Sequence, residues 1–330
     1  MDLHPKDRPG SAQNVYYFRR PMGGTPHPEK PPRPKSAAQM KNPAPGPKKP
    51  SGELRTFWGV HDANLKAELP PSQVHLSHNL YRGMPGWFNA FFDYFQRRII
   101  RNWARACRIG PGMVSLDLGC GTGRWIGFML GRKQKATGMD LGFNALRFAQ
   151  AHWGPAHFVL GKLPDLCFAE ETFHWAISVT VLQHLPYADQ VRGLREIHRL
   201  LKPGGYLMLC ESIDLNDRSD YLFANSIPRW RTQFLQAGFE ILDHRGCEFL
   251  PFIKGFHWVR DRWLRKSSSP SSEQLRVSDV AAYLENRPGL SWLLRILLGI
   301  SYPGEFLAGW FFPMSWARLG CFLLRKGSCV

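Results

Sequence analysis

The stretch Val114-Ser-Leu-Asp-Leu-Gly-Cys-Gly-Thr-Gly-Arg-Trp125 sets an acid, Asp117, ahead of three glycines, Gly119, Gly121 and Gly123, within six residues. Bare glycine backbone turns tightly and lets a ligand approach the main-chain N–H groups. A second acid, Asp140, follows 21 residues after Gly119. A carboxylate so placed accepts two hydrogen bonds from the adjacent hydroxyls of a ribose, so the pair asks for an adenosine-like ligand. A dinucleotide loop reads Gly-x-Gly-x-x-Gly; the spacing here is Gly-x-Gly-x-Gly with an acid two residues upstream, which favours a different nucleoside. His184, in Leu182-Gln-His-Leu-Pro186, is the candidate general base because imidazole titrates near neutrality. The competing reading makes it a strand-end histidine bonded to a backbone carbonyl.

The elements that must position these groups alternate. Met113–Leu118 is an apolar strand, the glycine loop opens a helix through Leu130, and Lys135–Asp140 is a second strand. Helix Asn144–Trp153, strands His157–Leu160 and Phe173–Val179, helix Ala188–Leu201, a stop at Lys202-Pro-Gly-Gly205 and strand Tyr206–Glu211 follow. Such alternation implies parallel strands joined by right-handed crossovers, a doubly wound α/β sheet whose ligands settle at the strands' carboxyl ends. Glu211, Arg82 and Trp87 are expected at the same rim, and His198 and Arg199 are expected to face solvent. Phe88, Phe91, Phe92, Phe95, Ile99 and Trp103 recur at helical spacing, and the other side of that helix is basic.

Leu116-Asp-Leu-Gly-Cys-Gly-Thr-Gly123 resembles motif I of the class I S-adenosylmethionine-dependent methyltransferases. The resemblance continues through Gly161–Phe168, Phe173–Pro186 and Glu196–Leu207, and covers roughly residues 79–250. It implies a Rossmann-like, mostly parallel seven-stranded sheet with an antiparallel last strand, and S-adenosyl-L-methionine as cofactor. It implies Asp117, Gly119, Cys120, Gly121 and Gly123 against the methionine end, Asp140 on the ribose, and Leu141 and Leu163 beside the nucleoside. The family's acid after the third strand is replaced by Lys162 and Leu163, with Asp165 as substitute, and a second acid before the fourth strand appears as His174.

Around this core, 111–250, the chain divides into a basic Pro-rich tail (1–56), an N-terminal helical segment or lid (57–110), an aromatic-rich insertion shaping the acceptor pocket (251–318) and a final strand (319–330). The net charge is +17, of which +7 lies in residues 1–56, where repeated prolines and few apolar groups predict disorder. Charge alone prompts a nucleic-acid methyltransferase reading, and no aromatic-basic recognition motif accompanies it. Seven cysteines without a Cys-x-x-Cys pair predict reduced thiols and no metal site, and the polar start predicts a cytoplasmic setting. In the insertion, the runs Leu290–Ile300 and Phe306–Met314 are too short or too broken to span a bilayer. They predict a lid, or peripheral membrane contact aided by Arg260, Arg262, Arg265 and Lys266. The expectation is a methyltransferase acting on a small-molecule or lipid-like acceptor; the alternative is an inactive cofactor-binding regulatory or scaffold subunit.

Overall fold

A computed structural model of the chain describes residues 76, 79–81, 84–215, 222–249, 284 and 286–327, all within the compact unit Gly46–Val330. The expected tail, Arg82 and the basic cluster at 260–266 lie outside the described residues. The strands are β1 (Val114–Leu118), β2 (Lys135–Asp140), β3 (His157–Leu160), β4 (Phe173–Val179), β5 (Leu201–Ser212), β6 (Phe239–Phe249) and β7 (Ala317–Lys326). The helices are α1 (Gly86–Ala106), α2 (Arg124–Leu130), α3 (Phe143–His152), α4 (Tyr187–Leu200), α5 (Ile227–Gln236) and α6 (Pro288–Phe311).

The strands form one sheet in the order β3-β2-β1-β4-β5-β7-β6. The first five pair in parallel, and β7 runs antiparallel between β5 and β6. Because β1 has β2 on one side and β4 on the other, the strand order reverses beside it, which opens a crevice at the carboxyl ends. The glycine loop leaves β1 at that point and is tied to the neighbouring strand: Gly119 N and Cys120 N donate to Met139 O at 2.8 and 3.0 Å.

Alternate residues of the strands feed two cores. Trp175, Ile177, Met208 and Cys210 pack with Phe92, Trp103, Trp125 and Met129 from α1 and α2. Ala176, Leu207, Leu209 and Phe322 pack with Leu194, Ile197, Trp230 and Phe234 from α4 and α5. The aromatic stripe of α1 is therefore core, with Ile100, rather than the expected Ile99, fully buried. Both sides of the sheet are covered, as a parallel sheet requires.

Three expectations are corrected. β5 begins at Leu201, before the Lys202-Pro-Gly-Gly205 stop: Leu201 pairs with Phe173 and Tyr206 with Trp175, so four residues loop out opposite His174. Gly204, at φ +70°, lets the chain leave and rejoin the ladder. The first apolar run of the insertion and the second as far as Phe311 are joined in the single helix α6, which carries Pro303 inside it. That proline sits on the exposed side, above Gly299, where water can reach the carbonyl it leaves unpaired. His198 is not solvent-facing; its ring packs edge-on against Phe239 at 5.2 Å. No described helix is long and apolar enough to cross a membrane.

Candidate functional site

A cavity of about 770 Å³ opens at the carboxyl ends of the parallel strands. It brings together Asp117, Gly119, Cys120 and Gly121 from β1 and its loop, Asp140 and Leu141 from β2, Leu163 after β3 and His184 after β4. Gly123 is absent from the lining: it is the left-handed cap of α2, at φ +87°, and a side chain there would run into Trp153.

Asp140 is held by two main-chain donors, Gly121 N to Oδ2 and Gly142 N to Oδ1, each at 2.7 Å. The acid therefore locks the glycine loop to the end of β2 while standing at the cavity wall. Asp117 is 1 % exposed, and its Oδ2 has no hydrogen-bond partner among the described residues. Burial pushes its carboxyl well above the usual carboxylate range, against the pull of the Arg124 guanidinium. A buried carboxylate oxygen without a donor beside a cavity calls for a cationic or N–H-bearing ligand. The implied S-adenosylmethionine fits that demand: its methionine ammonium would face Asp117 and its ribose Asp140.

The glycines answer a constraint that was invisible in the linear sequence. Asn79 reaches over the loop, its Nδ2 donating to Thr122 Oγ1 at 3.1 Å, and its Oδ1 occupies the space a Cβ on Gly121 would need. At Gly119 the same space is taken by Val181. Protein neighbours, as well as any ligand, forbid side chains here. With Gly121 at φ +51°, Gly121→Ala is expected to cost about 1–2 kcal/mol and to weaken cofactor binding about tenfold, measurable by calorimetry with S-adenosylhomocysteine.

The replaced acids sort differently. Lys162 Nζ lies 3.7 Å from Asp165 Oδ2, and Arg192 Nη2 lies 3.5 Å from Asp165 Oδ1, all three side chains being exposed. Asp165 is thus engaged with cations at the cavity rim. His174 is at the opposite end of the sheet, where Val114 N donates to its Nδ1 at 3.0 Å. Burial and Lys202 hold its imidazole below the ordinary value. The His174 departure therefore does not touch the cavity.

Glu211, expected at the rim, is fully buried behind the wall. Its Oε1 accepts from Val181 N at 3.2 Å and Leu182 N at 3.0 Å, and its Oε2 accepts from Gln183 N at 3.0 Å, so it fixes the turn that carries His184. Trp87 is likewise outside the lining and packs under Arg295, 5.4 Å from its ring.

Sequence reasoning missed the far end of the cavity. Glu248, 1 % exposed near the end of β6, accepts from Tyr81 Oη at 2.7 Å, Gln96 Nε2 at 2.7 Å and Arg318 Nη1 at 3.0 Å. Gln96 Oε1 in turn accepts from Arg124, whose Nε pairs with Asp93 at 3.2 Å. Tyr81, Gln96, Arg124, Glu248 and Arg318 all line the cavity. An acid at the carboxyl end of β6 was the one available sequence signal.

Burial raises Glu211 to about 8 and Glu305 to about 7. A carboxyl whose folded pKa lies above its unfolded value contributes stability that is complete below about 4.5 and is lost as pH rises through the folded value. His174, His198 and His244, all lowered chiefly by burial, act with the opposite sign, but their contribution stops changing above the unfolded imidazole pKa of about 6.5. Urea midpoints are therefore expected to fall between about pH 6.5 and 8, and Glu211→Gln to flatten the part nearest 8.

Comparison with known proteins agrees with this geometry. Residues 116–205 match the family described as "Methyltransferase domain". Demethylmenaquinone methyltransferase of Lysinibacillus sphaericus (strain C3-41) is 25 % identical over 159 residues, 46 % of this chain and 63 % of that protein. Sterol methyltransferase-like 2 of Botryococcus braunii is 31 % identical over 165 residues, 43 % of this chain and 41 % of that protein. The chain thus spans less than two thirds of these relatives. Among solved structures, Haemonchus contortus phosphoethanolamine N-methyltransferase 1, in complex with phosphoethanolamine and S-adenosylhomocysteine, shares the fold at a TM-score of 0.52 and 11 % identity, over 84 % of this chain and 49 % of that one. The acid and glycine loop of β1, seated where the sheet reverses, fall within the stretch 116–205 that matches a methyltransferase domain.

Proposed function

We propose that the chain transfers a methyl group from S-adenosylmethionine to a small, lipid-like acceptor. The observation that carries this reading is the continuity of one cavity from Asp140 and Asp117, at the cofactor end, to Tyr81, Glu248 and Arg318 at the other. When bound, the cofactor supplies a sulfonium methyl group already activated for displacement. The protein's part is to hold an acceptor atom in line with it, which by itself supplies much of the acceleration.

Asp117 and Asp140 orient the cofactor, and Gly119 to Gly121 give it the backbone surface. The Glu248 carboxylate, filled by Tyr81, Gln96 and Arg318, is a positioning group that aims the Tyr81 phenol and the Arg318 guanidinium. His184 is the proposed proton acceptor where the acceptor is a hydroxyl or acidic carbon, its place set by Glu211 through the preceding turn. The lipid-like class draws on two relatives, named for demethylmenaquinone and sterol methylation. It also draws on the wall supplied by Leu80, Leu185 and Leu319.

The experiment is label transfer from S-[methyl-³H]adenosylmethionine to a panel of demethylated quinones, sterols and phospholipid headgroup amines, with calorimetric binding of S-adenosylhomocysteine in parallel. Label should enter an organic-extractable product, and His184→Asn should lower the rate on hydroxyl acceptors while leaving binding intact. Tight binding without transfer to any acceptor would support the regulatory-subunit reading instead.

A further inference from the structure

α6 is the most exposed apolar element among the described residues. Of its 24 residues, only Glu305 and Ala308 are buried. Leu298, Tyr302 and Phe306 turn inward to pack against the core, Tyr302 meeting Phe91 at 4.7 Å and Phe306 lying under the Arg98 guanidinium at 4.0 Å. The other side, following the same helical period, presents Trp292, Ile296, Ile300, Leu307, Trp310 and Phe311, with exposures up to 75 %. Phe312 and Trp316 extend this surface beyond the helix end. A contiguous apolar face of this kind marks a contact surface.

Its charge selects the contact. The single acid of α6, Glu305, is turned inward, its carboxylate accepting from Glu248 N at 2.6 Å and Phe249 N at 3.0 Å. The cations placed at α6 among the described residues are Arg287 at its N-terminal cap, Arg295 over the Trp87 ring, and Arg98 of α1 over Phe306. A second copy docked on the same face would bring like charges together. Trp residues towards both ends, apolar residues between them and flanking arginines suit the interface of a bilayer carrying anionic headgroups. α6 would lie along that surface, since it is not apolar enough to cross.

The face also leads into the cavity. From Phe311 the chain turns through Met314–Trp316 and enters β7, where Arg318 and Leu319 form part of the cavity wall. Glu305 joins the inward side of α6 to the backbone of Glu248, the centre of the same wall. We infer that α6 seats the protein on an anionic lipid surface, with the acceptor end of the cavity beside it, so that a lipid-like acceptor enters from the membrane. The entry route rests on the function proposed above; the membrane seat does not.

The test is co-sedimentation of the full chain with vesicles of phosphatidylcholine alone and of phosphatidylcholine mixed with about one third phosphatidylglycerol. Binding is expected on the mixed vesicles, weaker on the neutral ones, and reduced when ionic strength is raised from about 0.15 M to about 1 M, where the screening length falls from ~8 to ~3 Å. The triple variant Trp292→Ser, Ile300→Ser, Trp310→Ser should lose partitioning by about 100-fold or more. Because those side chains are exposed, its calorimetric affinity for S-adenosylhomocysteine should be unchanged. Absence of binding to either vesicle, or equal binding by the triple variant, would overturn the inference. So would a dimer in sedimentation velocity that the triple variant dissolves, since a second copy would then cover the face. Vesicle binding by a chain that fails to bind S-adenosylhomocysteine would leave the membrane seat standing and remove the methyl-donor reading alone.

Discussion

Replacing Asp140 by alanine is expected to weaken S-adenosylhomocysteine binding by about 100-fold, close to 3 kcal/mol. Two losses combine. The ribose would forfeit a charged acceptor, worth about 1.5 to 3 kcal/mol. The loop would forfeit its tether as well, because the same carboxylate holds Gly121 N and Gly142 N at 2.7 Å. Asp140→Asn should rescue little: one oxygen becomes an NH₂ group, which meets a backbone N–H donor to donor at one of those two contacts. Calorimetry on Asp140→Ala, Asp140→Asn and the parent chain decides it. Parent-like affinity in the alanine variant would remove the ribose assignment, and with it the reason for reading the cavity as a nucleoside site.

The proposed cofactor end was legible because its chemistry is local. Asp117, Gly119 and Gly121 sit in one turn, and Asp140 ends the next strand, so spacing alone puts them at one rim once the sheet is parallel. The proposed acceptor end was not legible, because Glu248 gathers partners 167, 152 and 70 residues away in sequence, and no window of the chain contains the cluster. Glu211 misled for a related reason. Its place at the end of β5 suggests the rim, but its two oxygens are spent on three consecutive N–H groups of the neighbouring turn, a demand visible only when β4 and β5 are paired. The same holds for the glycines. Their spacing suggests ligand approach, whereas Asn79 and Val181 impose part of the requirement from elsewhere in the chain. α6 shows the converse limit: two runs judged separately for length become one helix because Pro303 falls on the outer side, where its missing N–H is tolerated.

Glu248→Ala is expected to lower the free energy of unfolding by about 3 kcal/mol, at the lower end of the range for breaking a buried ion pair. Removal of the carboxylate strands three donors at once: the Tyr81 phenol, the Gln96 amide and the Arg318 guanidinium. The Gln96 amide is enclosed, while the half-buried Tyr81 and the Arg318 side chain, 21 % exposed, can recover some hydration, and this keeps the cost from the top of the range. Glu248→Gln preserves shape and one accepting oxygen, but its NH₂ would face either the Gln96 amide or the Tyr81 and Arg318 donors, so about 1–2 kcal/mol should remain lost. Urea unfolding of both variants gives these values directly. A double-mutant cycle with Arg318→Met separates the ion pair from the two neutral donors. A loss below about 1 kcal/mol in the alanine variant would mean that water already reaches the carboxylate, contrary to its burial. The functional consequence is separable by position. Cofactor affinity should survive Glu248→Gln, because Asp117 and Asp140 hold the other end of the cavity, whereas the Michaelis constant for the acceptor should rise as Tyr81 loses its fixed direction. A change confined to cofactor affinity would reverse the assignment of the two ends.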